Sequence, residues 1–169
     1  RLGCLLIPPP WLPPQVDLFE GNVQAARATL HTRAGTGLTG YCNQWGCAHA
    51  VGAGPGGDFI KYGVGHSFAI DTSQPFDVRA SFDVNGHMEV VMSQGGAGEV
   101  KLWDVWNAGN GQDRVPEEDS ALVREALERG GLTLVASLWG TDTADGMSWL
   151  DGGCQVACNV DEAVAVFSN

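Results

Sequence analysis

The sequence predicts an all-β protein, a β-sandwich with one short helix. Its 24 glycines and 8 prolines supply frequent turn signals in a chain of 169 residues. Several short segments alternate apolar and polar residues, which is the period of a half-buried strand. Only residues 116–129 show a helical stripe, with acids at the start and Gly130-Gly131 as the stop. Many short strands with a single helix indicate a sandwich of sheets.

The N-terminal part of the chain changes character several times. Residues 1–14 are proline-rich and predict an extended segment, and residues 15–20 predict a strand. Residues 23–31 have weak helical character. The glycine-rich residues 32–58 predict a long loop or a pair of loops.

A hairpin is the clearest local prediction. Residues 76–84 alternate, and Asn85-Gly86 is a strong turn signal before a return strand over residues 87–93. The apolar positions on one face are Phe76, Val78, Ala80, Phe82 and Val84. Further strands are predicted over residues 67–71, 100–106, 132–139 and 163–167.

The charge balance limits the possible partners. Nine basic and twenty acidic residues give 9 − 20 = −11, with a pI near 4.5. This argues against nucleic acid and anionic membrane as partners, since both require clustered Lys and Arg. The sequence contains no run of 18 apolar residues, so it predicts no transmembrane helix. A neutral ligand such as a sugar suits this charge, and no phosphate loop or other cofactor motif is present.

Five cysteines in a small acidic chain suggest an oxidising compartment. Cys42 and Cys47 bracket one tight loop, Cys154 and Cys158 bracket another, and Cys4 is left over. A zinc site could be drawn with His49 and His66, but the spacing is not a ligand pattern. We therefore predict disulfide loops and no metal.

One strand carries two acids among apolar residues, in the run from Gln15 to Asn22. Such acids are costly unless they face water or each other, so the cluster indicates a site. In a regular strand Asp17 and Glu20 would point to opposite faces. A shared face requires a bulge, which we predict near Phe19.

This strand resembles the catalytic strand of glycoside hydrolase family 7, the fungal-type cellobiohydrolases and endoglucanases. The family pattern is Glu-x-Asp-x-x-Glu-x-Asn with a histidine eleven residues beyond the last acid. Asp17, Glu20, Asn22 and His31 fall in register, whereas Gln15 stands where the family has its nucleophile. Four other segments resemble family motifs in the same order: residues 41–47, 62–78, 130–151 and 165–169.

The resemblance covers most of residues 15–169 and implies the C-terminal part of a concanavalin-like, lectin-like jelly roll. The N-terminal half of the family's domain has no counterpart, so residues 15–169 predict a partial domain. The resemblance implies a disulfide in the Cys42–Cys47 loop and an extracellular setting, while the Cys154–Cys158 disulfide is predicted from the loop spacing alone. A monomer is expected.

The resemblance also implies retaining hydrolysis of β-1,4-glucan by two carboxyl groups. Glu20 would be the acid/base, Asp17 its neighbour that tunes the nucleophile, and His31 a hydrogen-bonding residue of the site. Trp139, Trp149 and Asn22 would bind cellulose or a β-glucan oligosaccharide, while Trp45, Trp103 and Trp106 are interpreted as core or loop residues. A carboxamide at Gln15 cannot form a glycosyl ester, so little hydrolysis is expected. Two alternatives remain open: a lectin-like binding protein that has lost catalysis, and a truncated gene product without a stable fold.

Overall fold

The computed structural model describes residues 14–32, 42–43, 45–54, 57–96, 98–106, 115–138, 140–141, 143 and 146–151. One antiparallel sheet consists of β1 (Gln15–Gly21), β2 (Ala25–His31) and β3 (Cys47–Gly52), in that spatial order. A short parallel pair consists of β4 (Tyr62–Gly63) and β5 (Ile70–Asp71). A second antiparallel sheet consists of β6 (Asp77–Phe82), β7 (Met88–Ser93) and β8 (Glu99–Trp103). The helices are α1 (Glu117–Arg129) and α2 (Ser148–Asp151).

Both three-stranded sheets contribute to one hydrophobic core. Its largest fully buried side chains include Trp103, Met92, Leu102, Val51 and Val90. The His49 Nδ1 atom of β3 donates a hydrogen bond to the Leu102 carbonyl of β8 over 2.8 Å, so the two sheets are also joined by a polar contact. The described residues thus form an all-β, jelly-roll-like fold, as the sequence predicted.

The predicted hairpin and helix are both confirmed. β6 and β7 pair around a turn in which Gly86 adopts a φ of 82°, a conformation that favours glycine. The Asp83 carboxylate accepts hydrogen bonds from the backbone N–H groups of Asn85 and His87. Helix α1 has three acids in its first turn and ends at Gly130. The Thr32 hydroxyl donates to the Asp119 carboxylate, which ties α1 to the end of β2.

Several predicted elements were wrong or too long, among them the strand over residues 100–106, which ends at Trp103. Residues 25–31, predicted as weakly helical, form β2, because pairing on both sides supplies all the hydrogen bonds of a central strand. β3 lies inside the predicted loop of residues 32–58, where it pairs with β2 along Cys47–Gly52. The predicted strand over residues 67–71 is reduced to Ile70–Asp71.

Residues 132–138, predicted as a strand, have no regular structure. Their backbone has no paired strand among the residues that the structure describes, and Leu134 and Val135 are exposed. An alternating pattern without a neighbour to accept its hydrogen bonds does not form a strand. The predicted strand over residues 163–167 lies outside the described residues. In the described part of the chain, neither helix is long and apolar enough to cross a bilayer.

Candidate functional site

A β-bulge places the two acids of β1 on one face. Asp17 pairs with Thr29 of β2, whereas Glu20 pairs with Arg27, so three steps along β1 match two along β2. The extra residue reverses the alternation, and Glu20 therefore points to the same side as Asp17. The register shift falls between Asp17 and Glu20, which confirms the bulge predicted near Phe19.

Asp17 lies between two donors. The Gln15 amide nitrogen is 3.0 Å from Oδ1 and 3.2 Å from Oδ2 of Asp17, and His31 Nε2 is 3.1 Å from Oδ2. Burial alone would raise the pKa of Asp17, but the hydrogen bonds from His31 and Gln15 and the charge of His31 lower it below its ordinary value. Asp17 is therefore held as a carboxylate.

The surroundings of His31 favour its doubly protonated, charged form. Its Nδ1 atom is 3.2 Å from the Asn43 carbonyl oxygen and its Nε2 atom faces the carboxylate of Asp17. Both partners can only accept, so the two hydrogen bonds form together only when both ring nitrogens carry a proton. Burial opposes the charge, but the hydrogen bond to Asp17, the charge of Asp17 and the Asn43 carbonyl raise the pKa of His31.

The pKa of Glu20 is shifted in the opposite direction to that of Asp17. Burial, followed by the negative charge of Asp17, raises the pKa of Glu20, although the Thr29 hydroxyl donates to its Oε2 atom over 3.2 Å. Two neighbouring carboxyl groups whose pKa values are moved apart form the arrangement of an acid–base site. One can hold a proton while the other stays charged.

The predicted disulfide loop packs directly against this face. Cys42 and Cys47 are bonded, which confirms that pairing. A Cβ atom at Gly46 would collide with the side chains of Thr29 and His31, so only glycine lets the loop approach this closely. Cys154 and Cys158 lie outside the described residues, as does Trp139.

Asn22 and Trp149 lie at the other end of β1 and β2. The Asn22 side chain accepts from the N–H groups of Gln24 and Ala25 and donates to Asp151 over 2.9 Å, so it braces the turn between these strands. The guanidinium of Arg27, the residue paired with Glu20, lies 5.9 Å from the Trp149 ring centroid and donates to the Trp149 carbonyl. A role for either in substrate binding stays a prediction.

Three further tryptophans agree with the core and loop interpretations. Trp103 is buried in the core, whereas Trp106 and the 76% exposed Trp45 lie in loops. Gly46, which follows Trp45, packs against His31 and Thr29. No group of three or more metal-ligating side chains lies together among the described residues.

The chain is similar to fungal endo-β-1,4-glucanases. It is 28% identical over 151 residues to the endo-beta-1,4-glucanase celB of Emericella nidulans, covering 76% of this chain and 33% of that protein. It is 28% identical over 175 residues to endoglucanase 1 of Pyricularia oryzae, covering 82% and 39%. It is 27% identical over 182 residues to the endo-beta-1,4-glucanase celB of Aspergillus oryzae, covering 88% of this chain and 41% of that protein.

The chain spans between a third and about two fifths of the length of these curated relatives. No protein-family model matches it. The similarities indicate a cellulase-like relationship at low identity.

Proposed function

We propose that this chain is a family 7-type glycoside hydrolase for β-1,4-glucan whose catalysis is impaired at one position. The observation that carries the proposal is the bulge, which brings Gln15, Asp17 and Glu20 to one face. On that face hydrogen bonds lower the pKa of Asp17, and burial together with the charge of Asp17 raises the pKa of Glu20. The names of its relatives support a cellulose-type glucan as the substrate.

The side chains have separate roles in this proposal. Glu20, with its raised pKa, holds the proton that the leaving sugar oxygen needs. Asp17 stays ionised under the donors His31 and Gln15 and orients the residue at position 15. No cofactor is required, because proton transfer and carboxylate attack suffice for glycoside hydrolysis.

Gln15 limits the reaction. In the retaining mechanism a carboxylate attacks the anomeric carbon, and the resulting ester is then hydrolysed. An amide at this position has no negative charge and is committed as a donor to Asp17. Loss of a nucleophile costs up to about 10⁶ in turnover. We therefore propose residual or no hydrolysis by the natural chain.

The second candidate is a carbohydrate-binding, lectin-like pseudoenzyme. The Gln15–Asp17 contact favours it, because the amide donates to the oxygens of Asp17 and keeps this face polar. A secreted monomer that meets glucan outside the cell fits either candidate. The Cys42–Cys47 disulfide supports an oxidising compartment.

The deciding experiment compares wild type with Gln15→Glu on a fluorogenic β-cellobioside. We expect the variant to gain turnover by several orders of magnitude, since the loss of a nucleophile costs up to about 10⁶. The double variant Gln15→Glu/Glu20→Gln is the matched control and should lose the gain.

A gain that survives in the double variant would remove Glu20 from its proposed role. Absence of hydrolysis by Gln15→Glu, with unchanged circular dichroism and measurable binding of cellotetraose, would favour the pseudoenzyme. Absence of both hydrolysis and binding would contradict both candidates.

A further inference from the structure

Trp45 presents an indole to solvent from a braced loop. Its side chain is 76% exposed, twice the 38% of Trp149. The loop is closed by the Cys42–Cys47 disulfide, and the Trp45 backbone N–H donates to Asn43 Oδ1 over 2.9 Å. The Asn43 carbonyl in turn accepts from His31. The loop is thus fixed both within itself and to β2.

The loop also lies beside both acids. Gly46, the next residue, packs against Thr29 and His31. Thr29 donates to Glu20, and His31 donates to Asp17. Only one residue therefore separates Trp45 from the side chains that hold the two carboxyl groups.

We propose that Trp45 is the stacking platform for the sugar unit next to the bond that Glu20 and the residue at position 15 flank. The inference rests on the proposed function and names a residue that sets its affinity. A flat, exposed indole matches the C–H face of a glucosyl ring. Because the disulfide and Asn43 already order the loop, little entropy is lost when a ring stacks there. A neutral sugar also suits the acidic surroundings better than an anionic one.

The test is a titration of the full chain with cellotetraose, followed by calorimetry. Trp45→Ala should weaken binding about tenfold, the order expected for loss of an aromatic contact, and Trp45→Phe should keep part of the affinity. Trp106→Ala is the matched control, since Trp106 is also exposed but follows β8 in the other sheet, and it should bind as wild type. Circular dichroism of each variant checks folding.

The outcomes separate this inference from the proposed function. If wild type binds and Trp45→Ala binds equally well, the platform is wrong and the glucan function stands. If Trp106→Ala weakens binding as much as Trp45→Ala, the loss of affinity is not specific to Trp45, and the inference that Trp45 is the platform is again wrong. If wild type does not bind, the glucan function fails and the platform with it.

Discussion

At the scale of single residues, the Asp17–His31 pair couples proton binding to stability. The pKa of Asp17 is lowered from 3.8, so its contribution is present above about pH 4 and is lost as pH falls through the folded value. The pKa of His31 is raised from 6.5, so its contribution is complete below pH 6.5 and is lost as pH rises through the folded value. The raised pKa of Glu20 lowers stability as pH rises from about 4.5.

We therefore expect the free energy of unfolding of wild type to fall as pH rises above 6.5. His31→Gln keeps a hydrogen-bond donor but cannot gain a proton, so this part of the decline should shrink, by on the order of 1 kcal/mol. The decline that starts near pH 4.5 should remain, because Glu20 causes it. Urea unfolding at pH 4.5, 6 and 8 measures both parts. An unchanged slope above pH 6.5 would exclude His31 as its source.

At the scale of elements, the two acids of β1 predicted a β-bulge that strand propensity alone does not predict. The bulge followed from the requirement that Asp17 and Glu20 share a face, and the structure places it between them. β2 was missed because Ala25, Ala26 and Ala28 favour helices, while pairing with two neighbours decides the outcome. The packing of the Trp45 loop against β2 was not predicted, because sequence alone does not indicate that the loop folds back.

The turn between β6 and β7 offers a test of local packing. Gly86 has a φ of 82°, and a Cβ atom there would meet the Ser120 carbonyl and the Arg124 backbone of α1. Gly86→Ala should cost about 1–2 kcal/mol from the backbone conformation and about 1–3 kcal/mol more from the clash.

Gly95→Ala is the matched control for this substitution. Gly95 also has a positive φ, of 56°, but nothing lies within 4 Å of its added Cβ. Thermal unfolding should therefore detect a larger loss for Gly86→Ala. Equal losses in the two variants would mean that the hairpin does not rest on α1.

At the scale of the whole molecule, the net charge of −11 opposes compaction. We expect NaCl to raise the unfolding temperature at pH 7, because screening weakens this repulsion over about 10 Å at 0.1 M salt. Near pH 4.5, the sequence pI, the same salt should have much less effect. Calorimetry at both pH values measures the difference, and an equal response would attribute it to something other than net charge.

The all-β fold class was predictable from the spacing of apolar and turn residues, while the ends of the individual strands were not. Turn signals and alternation sufficed for the hairpin, the helix and the all-β class. Residues 132–138 alternate equally well, yet they have no partner strand in the described part of the chain and remain irregular. Strand formation is a property of pairs, so the pattern of one segment cannot decide it.

The glutamine at position 15 that contacts Asp17 is also one base change away from glutamate. Glutamine and glutamate codons differ in one base, and the two side chains have nearly the same shape. Under the proposed function, one base change at codon 15 would therefore restore a carboxylate nucleophile on an otherwise unchanged scaffold.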